Sequence, residues 1–148
     1  MMKKKYKNTL IIIGIFTLII LWIIYDCLRE VHVDWELDSL RAYKINNRLF
    51  LRGEWIAFGI SPHLTSCDYR IENNKLIISL FARSPSFKSP YFNVYLPISK
   101  IPDKVYVDYG KNKIDELDVM ELNPSDEFSE CIKKKITHNF LTAHKKKK

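Results

Sequence analysis

Tyr43-Lys44-Ile45-Asn46-Asn47-Arg48-Leu49-Phe50-Leu51 decides the fold class. Two β-rich runs flank an Asn-Asn pair. Asn accepts positive φ more readily than most residues, so the pair predicts a tight hairpin turn. A similar phrase, one residue longer, starts 26 positions later as Tyr69-Arg70-Ile71-Glu72-Asn73-Asn74-Lys75-Leu76-Ile77-Ile78. Two hairpins arriving at the same turn chemistry explain this more simply than a duplicated unit.

Working outward, the two-residue period continues. Val31, Val33, Trp35 and Leu37 alternate with His32, Asp34, Glu36 and Asp38, the pattern of a half-buried strand. Further strands are predicted over 49–60, bent or broken at Gly53 and Gly59, then over 75–83, 92–98, 104–109 and 114–122. The stretches 61–68 and 84–90 read as Pro-containing loops. Pro97 and Pro102 bracket a shorter loop, and residues 109–113 form a turn. The fold class is therefore mainly β, a small antiparallel β-sandwich or barrel.

Both ends depart from this pattern. Asn123-Pro124-Ser125-Asp126-Glu127 carries helix-start residues, and Phe128, Ile132, Ile136 and Phe140 follow at a spacing of four. They predict a C-terminal amphipathic helix over roughly 124–142 that docks on its own domain. A basic tail, 143–148, should be solvated and free to approach anionic headgroups or an acidic partner. At the other end, Thr9–Tyr25 holds seventeen positions without a charge. Extended through Cys27 and Leu28, the run predicts a transmembrane signal anchor over 9–28, with Trp22 and Tyr25 suited to a membrane interface. Lys3, Lys4, Lys5 and Lys7 form a basic segment, 1–8, on its N-terminal side. The positive-inside rule then keeps the N-terminus in the cytoplasm and exports the 29–142 domain across the inner membrane.

Two other readings of this segment stay beside the plain anchor. Cleavage would need small residues that Tyr25-Asp26-Cys27 lacks apart from the Cys. A lipoprotein would be modified at Cys27, although Tyr25 and Asp26 suit a lipidation site badly.

The chain has 148 residues, enough for one domain, and a net charge of +7. That sum invites a nucleic-acid reading, but its distribution removes it. Residues 1–7 hold four Lys and residues 133–148 hold seven, leaving 13 basic against 17 acidic groups, a net of −4, over 8–132. An exported, mildly acidic body does not suit nucleic acid.

Few residues suggest chemistry. A thiol enzyme would use Cys67 and His63, the one place where a thiol and an imidazole lie close in sequence. The plainer expectation is a Cys67–Cys131 disulfide formed in an oxidising compartment, closing a loop of about 65 residues and stabilising by about 4 kcal/mol. Asp115, Glu116, Asp118 and Glu121 match no calcium loop, and no histidine pair has zinc spacing. Tyr91, Phe92, Tyr95, Tyr106 and Tyr109 read as core and cross-strand pairs. No catalytic set, metal or cofactor is expected. The expectation is a single-pass membrane protein whose exported domain binds another envelope protein, a peptidoglycan fragment, an incoming toxin domain or an anionic surface.

Overall fold

The computed structural model describes residues 2–34, 37, 39–55, 61–86, 90–122 and 127–146. In chain order the elements are α1 (Met2–Leu28), β1 (Val31–His32), β2 (Arg41–Ile45), β3 (Arg48–Glu54), β4 (Ser61–Glu72), β5 (Lys75–Ser86), β6 (Tyr91–Leu96), β7 (Lys104–Asp108), β8 (Ile114–Leu117), β9 (Val119–Glu121), α2 (Glu127–Thr137), β10 (Leu141–Thr142) and β11 (His144–Lys145). The expectations resting on Trp35, Glu36, Asp38, Gly59, Asn123–Asp126 and Lys147–Lys148 lie outside the described residues.

Within α1, Asn8–Leu28 is a 21-residue apolar stretch of mean hydropathy 2.5, no part of which is buried. At 1.5 Å per residue it is about 32 Å long, enough to cross a hydrocarbon core of about 30 Å. No polar stripe interrupts it.

Both Asn-Asn pairs form the predicted hairpin turns. Asn46 and Asn47 have φ of 48° and 59°, and Asn73 and Asn74 have 49° and 62°, all left-handed. They join β2 to β3 and β4 to β5 in antiparallel register, with Ile45 opposite Arg48 and Glu72 opposite Lys75. Two sheets grow from these hairpins. The first has the order β11-β4-β5-β7-β8 with β1 also on β5, and the second β10-β6-β3-β2-β9.

Both sheets are mixed rather than antiparallel. β7 runs parallel to β5, β9 to β2, β10 to β6 and β11 to β4. The cause is strand switching between sheets. β6 belongs to the second sheet, and the chain crosses at 97–103 to enter the first as β7. β8 lies at the edge of the first sheet, and beyond Asp118 the chain continues as β9 at the edge of the second. β10 and β11 make the reverse switch around Ala143, which is buried and donates its N–H to Tyr95 O (2.8 Å). Each lateral edge of the two-sheet stack thus carries a short strand that passes from one sheet to the other and pairs part of that edge.

The inner faces share one core. Ala42, Leu49, Leu51, Val94 and Leu96 of the second sheet meet Cys67, Tyr69, Leu76, Ile78, Leu80, Val105 and Val107 of the first, with Val33 and Trp55 at its margins. Tyr43, Ile45 and Phe50 point to the opposite face of the second sheet, where they enclose the fully buried Ile136 of α2. The amphipathic helix therefore docks on its own domain.

Several boundaries differ from expectation. Residues 61–68 are strand, because Pro62 lies near the start of β4, where a missing N–H costs little. β5 likewise runs on to Ser86. α2 stops at Thr137 instead of continuing to 142. Asn139 is left-handed (φ 54°), and Asn93 Nδ2 of β6 donates to the carbonyls of Lys135 (3.0 Å) and His138 (3.3 Å). Phe140 leaves the helix and stacks on Phe50 and Tyr95, with ring centroids 5.8 and 5.7 Å away. The tail is paired rather than solvated as far as Lys146, whose N–H donates to Tyr69 O (2.9 Å).

The join between α1 and the domain is polar on one side and apolar on the other. Glu30 accepts hydrogen bonds from the Thr65 hydroxyl and from Ser66 Oγ (2.8 Å), while Val33 N–H donates to Leu80 O (2.9 Å). The Thr65 hydroxyl, then that of Ser66, holds the Glu30 carboxyl below its ordinary range, and Arg83 adds to the effect.

Two outcomes are expected. Replacing Asn46 by Val places a β-branched residue at positive φ, and denaturant unfolding should show a loss of about 1–2 kcal/mol that Asn46→Gly does not produce. A depressed carboxyl contributes stability above its unfolded pKa and loses it as pH falls through the folded one. Protection of the amides around Thr65 and Ser66, taken against the intrinsic exchange rate at each pH, should therefore fall on acidification below the ordinary glutamate range. In Glu30→Gln that acid dependence should be absent.

Candidate functional site

The sequence-predicted thiol site is not assembled. Cys67 sits on the inner face of β4, fully buried, and its thiol is free. Burial, with Asp68 beside it, pushes that thiol far above the ordinary cysteine range, so it holds its proton and is a poor nucleophile. His63 lies on the same strand four positions earlier, about 13 Å away at 3.3 Å per residue. It is half-buried and lines a groove of about 230 Å³ with Trp55, Tyr91, Phe92, Asn93 and Leu141. A thiolate–imidazole pair would need contact, and strand geometry prevents it.

The expected disulfide is also not formed. Cys131 is a free, exposed thiol on α2. α2 packs against the outer face of the second sheet, whereas Cys67 faces the core from the first. A whole sheet and the core separate the two sulfurs, far beyond the reach of a disulfide. Cys27, a free half-buried thiol, lies near the end of α1. Trp22 and Tyr25 are exposed on the same helix. Lys3, Lys4, Lys5 and Lys7 occupy its first two turns.

Of the acidic group Asp115, Glu116, Asp118 and Glu121, three are dispersed into ion pairs. Glu116 pairs with Lys104 (3.1 Å) and accepts from Tyr106 Oη (3.1 Å). Asp115 lies 3.7 Å from Lys113, and Glu121 is 3.0 Å from Lys44. Contact with Lys104, then with Tyr106, lowers the Glu116 carboxyl, and Glu116 in turn raises Lys104. Of the aromatic set, Phe92 and Tyr109 are core, Tyr95 packs beneath Phe140, and Tyr91 is exposed beneath Arg52, 5.0 Å from the ring centre.

The more distinctive surface lies at the end of the domain remote from α1. Strand direction brings together both Asn-Asn turns, the 97–103 crossing and the end of β11. Two grooves flank that crossing and share Ser99, Lys100 and Pro102. One, about 470 Å³, is also lined by Lys44, Asn47 and Val119. The other, about 310 Å³, is lined by Tyr69, Ile71, Asn74 and Lys145. Most acids at this end are engaged: Glu72 by Arg70 (3.2 Å), Glu121 by Lys44, Glu116 by Lys104, and Asp103, which lines the larger groove, by the neutral Asn74 Nδ2 (2.7 Å), while Asp118 has no ion-pair partner among the described residues. Lys100, Lys145 and Lys146 have no ion-pair partner among the described residues. Sequence reading missed this surface because its members come from seven separate elements and connections. The only available signal was that two like turns and a Pro-bracketed loop can share one end of a stack.

Thiol mapping tests the cysteine geometry. In the native, full-length chain Cys131 should alkylate readily and Cys67 should not until denaturant is added, with no Cys67–Cys131 peptide under non-reducing conditions. Rapid native labelling of Cys67 would contradict its burial. No protein-family model, curated protein or solved structure matches this chain.

Proposed function

We propose that the chain is a single-pass, membrane-anchored protein of the bacterial envelope, with its N-terminus in the cytoplasm, whose exported β domain binds a partner without catalysis. One observation carries this reading. The apolar helix Asn8–Leu28 is exposed except at the half-buried Cys27 near its end and continues within three residues into β1, which is hydrogen-bonded into the first sheet. A helix of that composition needs lipid around it. The domain it holds is fastened directly at the membrane surface rather than on a long linker. Four Lys before the helix, against Arg29 alone in the ten residues after Tyr25, support the orientation.

In this reading the two sheets and their shared core form a sandwich that serves as a rigid platform. The burial of Cys67 away from His63 supports binding over thiol chemistry. The partner is another envelope component or an anionic surface, met on the side facing away from the membrane.

Alkaline phosphatase fused after Lys148 should be active in a Gram-negative host, and the chain should stay in the membrane pellet after alkaline carbonate extraction. An inactive fusion with the chain still in the pellet would reverse the orientation. Release by carbonate would remove the anchor.

A further inference from the structure

We propose that the membrane-distal end of the domain binds a linear, phosphate-bearing polyanion laid across the 97–103 crossing, an inference that rests on the anchored topology above. Position supplies the first argument. The chain enters the first sheet from α1 at Val31, opposite Ala82, and β5 runs from there back to Lys75 at the Asn73-Asn74 turn. Seven residues at 3.3 Å separate the two ends by about 23 Å. β11 runs parallel to β4 toward that same turn, with Lys145 beside Tyr69 and Tyr69 opposite Ile78, four residues or about 13 Å from the level of Ala82, and Lys145 lines one groove together with Asn74. The screening length at physiological salt is about 8 Å. Lys145 and Lys146 are thus held more than one screening length beyond the level at which the chain enters the sheet, and both are exposed.

Charge balance supplies the second argument. Glu72, Glu116 and Glu121 each pair with a neighbouring Arg or Lys; Asp103, in the larger groove, is bonded by the neutral Asn74 amide, and it and Asp118 are the acids set against Lys100, Lys145 and Lys146. Lys100 stands exposed on the ridge between the two grooves, with Lys145 lining one and Lys146 following it. Ser99, Asn47 and Asn74 add uncharged groups that can hydrogen-bond phosphate oxygens. The surface therefore offers excess positive charge along a path, not at a point.

The lining favours a polymer over a protein. Protein interfaces gain most of their energy from aromatic and Arg anchors packed at a dry centre. Among the described residues, the exposed large apolar side chains lining these grooves are Ile71 and Val119, and no exposed aromatic ring accompanies them. Paired grooves across a basic ridge suit a flexible chain of phosphates, whose binding draws on counterion release and needs no apolar anchor.

The test uses the full-length chain in nanodiscs of zwitterionic lipid, titrated with end-labelled inorganic polyphosphate and read by fluorescence anisotropy. Binding should weaken steeply with added salt. Lys100→Gln combined with Lys145→Gln should reduce affinity at least tenfold and flatten the salt dependence, whereas Lys100→Arg with Lys145→Arg should retain it. Lys111→Gln, at the opposite end beside Asp34, should leave binding unchanged. Thermal unfolding of each variant confirms that it is folded. Absence of binding at low salt, or equal weakening by Lys111→Gln, would overturn the proposal. So would a lysine-dependent preference for anionic vesicles over polyphosphate, which would assign this end to a second membrane surface. Because the purified chain is already in a bilayer, failure here leaves the anchor and its orientation untouched, and the fusion and extraction experiments judge those separately.

Discussion

Burial of two apolar sheet faces against each other is the constraint on which the rest of this structure depends. Neither hairpin is stable alone, since a two-stranded ribbon exposes one apolar face to water. Joining them hides Leu49, Leu51 and Val94 against Leu76, Ile78 and Val107, all fully buried. Once that stack exists, its lateral edges are the remaining liability. The chain covers them with β8–β9 on one side and β10–β11 on the other, two segments that continue in one direction while changing sheets. Parallel pairing in this small β domain follows from those switches.

The second consequence concerns what the layers keep apart. A thiol on the inner face of the first sheet and a thiol on a helix outside the second cannot meet, however oxidising the compartment. The same layering leaves Cys67 protonated in an apolar core and His63 in a groove of its own. Chemistry that looks available along a sequence is removed by a sheet lying between its parts. Conversely, Asn47, Lys100 and Lys145, distant in sequence, are gathered at one end because their strands end or turn at the same level of the stack.

Much of the local structure was legible. The Asn-Asn turns could be read because positive φ is a property of two adjacent residues, and the strands around them because alternation needs only the neighbours of each residue. The charge-free run at the N-terminus was legible for the same reason. Less was readable where two local rules met. Pro62 looked like a loop marker, yet β4 from Ser61 to Cys67 is hydrogen-bonded on one side only among the described residues, so the proline interrupts nothing. The four-residue spacing from Phe128 to Phe140 suggested one continuous helix. Capping by Asn93 from another strand ended it early and released Phe140 to the aromatic pair below.

By itself, the sequence determined the apolar helix and the turns, because these depend on backbone preference and hydrophobic period within a few residues; the alternation from Val31 to Leu37, read as one half-buried strand, yields only the two-residue β1 with Val31 exposed. Tertiary structure alone decided which strands pair in parallel, that Cys67 and Cys131 stay apart, and that the C-terminal lysines sit at the end remote from α1. Those outcomes depend on how two sheets close over a common core, a condition satisfied between distant residues and written in no single stretch of the chain.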